Sequence, residues 1–141
     1  MINIEAFSAL TVPGPTATTV SAPFWDALNR ETFALQHCVD CGQWVFYPRA
    51  QCPHCWSAHL NWKRASGRGN LATWSVQDRP GHPGWQSVAP YAVGLVRLAE
   101  GPTMLSHILV PHDRLALDLP LQLRIVAVGS TNMPFFEAAN D

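Results

Sequence analysis

Four cysteines fall within eighteen residues, as Cys38-Val39-Asp40-Cys41 and Cys52-Pro53-His54-Cys55 with ten residues between the pairs, and nothing else in the chain limits its fold as tightly. Each Cys-x-x-Cys turn aims backbone amides at its sulfurs and holds both sulfurs toward one point. Two such turns supply four ligands for a single tetrahedral ion. Gly42 follows the first pair, where a turn of this kind needs a positive φ, and Pro53 stiffens the second. Trp44, Phe46 and Tyr47 lie between the pairs and can form the small core of a hairpin. His37, His54 and His59 are close by, but Cys38, Cys41, Cys52 and Cys55 already complete a shell, so the histidines are expected outside it. A closed four-thiolate shell leaves no position for water or substrate, which makes the metal structural. Its expected work is folding energy for a ribbon too small to bury enough apolar surface.

Zinc is the expected ion. Iron stays open, because Cys-x-x-Cys-Gly and Cys-Pro-x-Cys also resemble rubredoxin knuckles and thiolate softness does not separate the two metals. Disulfides are disfavoured by the regular spacing in a reducing compartment, and a thioredoxin-like motif would need one pair in a βαβ setting.

Around this ribbon the chain reads in three parts. Residues 1–22 read as a flexible N-terminal arm, since 11–23 hold three prolines among small and hydroxylated residues without an apolar period. Residues 23–66 read as a helix plus the ribbon: Ser21 can cap, Pro23 suits a first turn, and Phe24, Trp25 and Leu28 share one face. Residues 67–141 change to strand-length apolar runs with strands expected at 71–77, 92–98, 104–109, 122–128 and 133–138. Five short strands with long connections suggest a small antiparallel barrel of the OB type, with a five-stranded sandwich as the competing form. The fold class is therefore mainly β: an N-terminal helix, a rubredoxin-like zinc ribbon, then a five-stranded OB-fold barrel. The Gly- and Pro-rich loop at 79–90, with His82 and Trp85, is long for a hairpin and so is expected to be functional or mobile.

Of the 141 residues 48% are apolar and only 13% charged, about half the usual charged share, which suits a chain that hides surface in a partner. The longest apolar runs, at 92–96 and 125–128, are too short to span a bilayer. The first basic residue is Arg30, so no secretory leader is legible and a cytoplasmic location is expected. Nine basic residues face ten acidic ones, which argues against binding that rests on phosphate neutralisation. Lys63, Arg64 and Arg68 nonetheless cluster at the junction of ribbon and barrel, and Arg79 opens the long loop. No nucleophile–base pair is evident. Ser106 and His107 are adjacent, which puts them on opposite faces of a strand with His107 at its surface, and His112-Asp113 reads as a solvated turn. Arg49 reads as a hydrogen-bonding clamp from ribbon to barrel.

The succession Phe24-Trp25, Leu28, Leu35, Cys38-x-x-Cys41-Gly42, Phe46-Tyr47-Pro48-Arg49, Cys52-Pro53-x-Cys55, Trp62, Ser66-Gly67-x-Gly69, Pro90-Tyr91 and Glu100-Gly101 resembles the DUF35 family of zinc-ribbon OB-fold proteins. The likeness runs from about residue 23 to about 138, with departures at Leu117-Asp118-Leu119-Pro120 and Met133-Pro134-Phe135-Phe136. It implies a noncatalytic small subunit of an acyl-CoA enzyme, thiolase-like above all, that binds a large partner in a hetero-oligomer and helps to form the CoA-thioester site. Lys63, Arg64, Arg68 and Arg79 are then the candidates for the CoA phosphates. The alternative is a single-stranded nucleic-acid-binding ribbon–OB protein using some of the six tryptophans as stacking platforms. A partner subunit should concentrate its exposed apolar area on the Phe24-Trp25 helix and the ribbon.

Overall fold

The computed structural model describes residues 2–139. Strands β1 (Ala34–Cys38), β2 (Trp44–Val45) and β3 (Leu60–Arg64) form an antiparallel sheet in the order β2-β1-β3. Strands β4 (Arg68–Gln77), β5 (Tyr91–Leu98), β6 (Thr103–Leu109), β7 (Pro120–Val128) and β8 (Thr131–Ala138) close into a barrel in the order β4-β5-β6-β8-β7. All five strands expected after residue 67 are present. The sandwich is thereby set aside, since closure removes the free edges a sandwich would keep.

Alternation builds the barrel. In β5 and β6 every second residue turns inward, placing Ala92, Val96, Leu98, Met104 and Ile108 in the core. Gly94 takes an inward place where β4 bulges between Leu71 and Thr73: a Cβ there would lie 2.7 Å from the Thr73 carbonyl oxygen and 2.9 Å from Leu71 Cδ1. Closure is weakest between β6 and β8. These strands run parallel and pair only through Ile108 with Phe136 and Leu109 with Glu137, so they part toward the start of β6. Ser106 Oγ bridges the gap by donating to the Pro134 carbonyl at 2.8 Å.

Helix α1 (Ala22–Asn29) buries Phe24, Ala27 and Leu28. Pro23 sits in the first turn as expected, but Ser21 does not cap with its side chain. Its backbone is already helical, and its buried Oγ accepts from the Thr18 amide at 2.8 Å instead. Phe24 meets Phe33, Phe46 and Tyr47 edge-on, and Trp25 Nε1 donates to the Tyr47 hydroxyl at 3.3 Å. One core therefore joins helix, ribbon and barrel, from Phe24, Leu28 and Leu35 through Ala65 to Leu71, Leu121 and Phe136.

Two expectations are corrected here and one, that for the long loop, is narrowed. The segment 1–22 is not a free arm throughout, because Ile4–Ala9 forms a 3-10 helix whose Phe7, with Leu10, is buried against Val126, Val128 and Phe135. The loop at 79–90 is ordered as a second 3-10 helix, Pro83–Val88, whose Trp85 packs edge-on against Phe7. The helix contributes none of the large exposed apolar residues; Val39, Tyr47 and Trp56 lie on the ribbon, but Val76, Leu95, Leu105 and Leu117 lie on the barrel side. Phe24 is spent on the shared core. Among the described residues no helix is long and apolar enough to cross a membrane.

Phe24 is 1% exposed and central to that core. Phe24→Ala should lower unfolding free energy by about 3–5 kcal/mol. Leu117→Ala, at an exposed position, should stay within about 0.5 kcal/mol. Denaturant melts of the two variants check both values.

Candidate functional site

The ribbon is two copies of one turn. In the first, the Gly42 amide donates to the Cys38 carbonyl at 2.9 Å and the Cys38 amide to Gln43 O at 2.9 Å. In the second, Trp56 N donates to Cys52 O at 2.8 Å and Cys52 N to Ser57 O at 2.8 Å. Gly42 and Trp56 hold equivalent places with φ of 76° and 66°, so the second turn sets a bulky residue in the left-handed region where the first has glycine. Backbone amides of Cys41 and His54 lie 3.5 and 3.4 Å from the sulfurs of Cys38 and Cys52. Asp40 ties the turns together by accepting from Ser57 Oγ and pairing with His59 Nδ1 at 2.9 Å.

This arrangement brings all four sulfurs within 4.8 Å of one another, with Cys38–Cys55 and Cys41–Cys52 at 3.6 Å. A zinc ion bonded at ~2.3 Å to four sulfurs requires tetrahedron edges of about 3.8 Å, so the cage fits the ion. Joint ionisation of the four sulfurs requires a cation. The Cys41 amide is the main cause that draws Cys38 down to about 7. Cys55 is pushed up to about 12: the Ser57 amide favours its thiolate, but burial and the facing sulfurs of Cys38, Cys41 and Cys52 outweigh it. Four thiolates this close ionise together only around a positive charge. No histidine joins the cage; His37 packs edge-on to Trp44 and His59 is held by Asp40.

The four cations are not one patch. Arg64 and Arg68 line a polar cavity of about 290 Å³ with Glu31, Ser66 and Gln122. Lys63 sits instead with Nζ 5.5 Å from the centre of the Trp44 ring. Arg79 lies beyond the far end of β4, a strand that begins at Arg68, which at ~3.3 Å per residue is up to about 30 Å away. Arg49 is not a clamp from ribbon to barrel either. Its backbone is held within the ribbon by the Gln36 amide at 2.9 Å in both directions, and its Nε donates to Tyr47 O at 3.2 Å.

His107 is not a strand-surface residue. Its ring stacks on Phe135 at 4.5 Å, Tyr91 at 4.8 Å and Trp85 at 4.9 Å, with Phe7 edge-on at 5.8 Å. His107 does point outward in the alternation of β6, but the N-terminal 3-10 helix and the long loop cover that face. Trp85 in a Gly- and Pro-rich loop was the available signal. Over the parting of β6 and β8 lies a largely apolar cavity of about 400 Å³, bounded by Trp25, Phe46, Tyr47, Leu105, Met133 and His107.

A four-cysteine ribbon joined to a closed five-stranded barrel defines a zinc-ribbon OB-fold protein. Family models agree on both halves: "ChsH2, rubredoxin-like zinc ribbon domain" matches residues 25–60 and "ChsH2, C-terminal OB-fold domain" matches 62–126. The chain belongs to the DUF35 family. It is 27% identical over 129 residues to a "Probable enoyl-CoA hydratase alpha subunit" of Thermomonospora curvata, covering 90% of this chain and 40% of that protein. It is 34% identical over 67 residues to a "DUF35 domain-containing scaffold protein" of Pyrococcus furiosus, covering 48% of each. The chain thus spans less than half the length of these two curated relatives. Among solved structures, a chain of the "Ltp2-ChsH2(DUF35) aldolase" superposes with a TM-score of 0.80 at 26% identity, covering 90% of this chain and all of that one.

Cys52→Ser should lose bound zinc, measured by metal analysis of the purified protein, and should unfold the ribbon; native zinc content in this variant would contradict the four-sulfur assignment. Burial lowers His107 from 6.5 to about 4. The unfolded chain therefore binds the extra proton between those values, so the stabilisation is complete above about pH 6.5 and is lost as pH falls to 4, up to about 3 kcal/mol. Denaturant melts of wild type and His107→Leu across that window should show the added slope only in the wild type.

Proposed function

We propose that the chain is a noncatalytic, zinc-stabilised partner subunit of an acyl-CoA enzyme of the thiolase type, with the reaction centre on the partner. The observation that carries this reading is the fold likeness over the whole of a chain from the "Ltp2-ChsH2(DUF35) aldolase". A curated relative named as a hydratase alpha subunit adds an acyl-CoA setting. The closed four-sulfur shell supports the same reading, since it offers stability rather than chemistry.

The partner surface in this proposal runs over the ribbon tip and the barrel wall beside it. Trp56 is 75% exposed, Leu105 67%, and Val39 and Tyr47 are open as well. Exposed aromatic and aliphatic side chains of this kind serve as anchors in interfaces. For CoA, the reading narrows from four cations to two: Arg64 and Arg68 share a polar cavity and would receive phosphate oxygens. Stacking of single-stranded nucleic acid is less well supported, because Trp56 alone of the six tryptophans is exposed.

Co-purification with the product of the neighbouring gene, followed by a thiolytic assay with and without this subunit, tests the proposal. Loss of the large protein's activity without the subunit is expected; unchanged activity would sink it. In the complex, Arg64→Ala and Arg68→Ala should each raise the KM for CoA about tenfold while leaving zinc content intact. Unchanged KM in both would remove these residues from the site.

A further inference from the structure

The cavity over the parting of β6 and β8 is chemically distinct from the metal cage and from the arginine-lined cavity. We propose that it is a binding site for a small apolar molecule carrying one carbonyl group, with the Nε2–H of His107 donating to the carbonyl oxygen.

The walls set the apolar body of such a ligand. Trp25 comes from the helix, Phe46 and Tyr47 from the ribbon, Leu105 from β6 and Met133 from β8, so three parts of the molecule converge on about 400 Å³. That volume is within the range of small-molecule sites, which are mostly apolar with a few placed polar groups. The polar groups here are few and mostly engaged. Ser106 Oγ donates to Pro134 O, while the Tyr47 hydroxyl at the rim accepts from Trp25 Nε1 and keeps its own proton.

His107 supplies the other polar contact. Its Nδ1 is sealed from solvent without a hydrogen-bond partner. A sealed acceptor is tolerated more readily than a sealed N–H, so the ring proton belongs on Nε2 and Nδ1 is left bare. Nε2 is not sealed and has no hydrogen-bond partner among the described residues.

Charge then selects among ligands. The groups packed on the ring are Phe7, Trp85, Tyr91 from β5 and Phe135 from β8, none of them charged. Burial lowers the imidazole and raises the Tyr91 phenol, so both are neutral near pH 7. A carboxylate would find no countercharge and an ammonium no adequate acceptor. A carbonyl oxygen needs one donor and brings no charge. The cavity's walls all come from this chain, and Leu105 and Tyr47 at its rim also lie on the proposed partner surface, so the test uses the chain without a partner.

The test uses the zinc-loaded full chain with 4-tert-butylcyclohexanone and tert-butylcyclohexane as matched probes, followed by tryptophan fluorescence. The ketone should bind about five- to tenfold more tightly than the hydrocarbon. His107→Leu should abolish that difference and keep hydrocarbon affinity within about twofold. Leu105→Trp, which crowds the cavity, should weaken both probes. Ala6→Leu, in a neighbouring cavity that His107 also borders, should weaken neither. Equal binding of the two probes, a ketone preference that survives His107→Leu, or loss of ketone binding through Ala6→Leu would overturn the assignment. Should His107→Leu fail to fold, the imidazole nitrogen resonances of wild type decide: a shift of Nε2 on ketone addition supports the contact, and an unmoved resonance refutes it.

Discussion

The ribbon, and through it helix α1, depends on the attraction between four thiolates and one cation. The cluster of Cys38, Val45 and Cys52, with Leu60 against it, is all the core the ribbon tip possesses. So few side chains cannot offset the entropy of ordering the two turns. The sulfurs make matters worse without metal, since each resists the ionisation of its neighbours. Zinc reverses the sign of that interaction, and apparent binding energies of roughly 10–16 kcal/mol for structural zinc in zinc-finger peptides show how large the term is.

The consequences propagate through packing. Cys38 ends β1, and β1 carries Leu35 into the core shared with Phe24, Leu28 and the barrel. An ordered ribbon therefore holds Phe46 and Tyr47 against the helix, and those same side chains roof the opening where β6 and β8 separate. The low charge of the chain gains a physical cause in this arrangement. Apolar residues are used three times: in the shared core, around the cavity, and on the exposed ribbon and barrel surface beside it.

What could be read from the residues follows the range of the interactions involved. The metal ligands are local and spaced by a turn, so Cys38, Cys41, Cys52 and Cys55 were legible from spacing alone. Strand-length apolar runs likewise revealed the five barrel strands, because they are written within each strand. The contacts that escaped are long-range. Phe7 and Leu10 gave no helical period in so short a segment, and their partners Val126, Val128 and Phe135 lie more than a hundred residues away. His107 read as exposed because its cover arrives from Phe7 and Trp85. Lys63, Arg64 and Arg68 are close in sequence, yet Lys63 turns to the Trp44 ring while Arg64 and Arg68 line one cavity. Ser21 had the right chemistry for a cap, but Thr18 captured its side chain first.

The central claim is that the metal organises the ribbon and, through it, the helix, while the barrel stands on its own closed sheet. Hydrogen–deuterium exchange of the zinc-loaded and zinc-stripped protein tests this most directly. Removal of zinc should abolish protection of the amides in Ala34–Cys38 and Leu60–Arg64 and weaken it in Ala22–Asn29, with the protected amides of Tyr91–Leu98 and Pro120–Val128 largely retained. Full protection of the ribbon strands in the stripped protein would contradict the account.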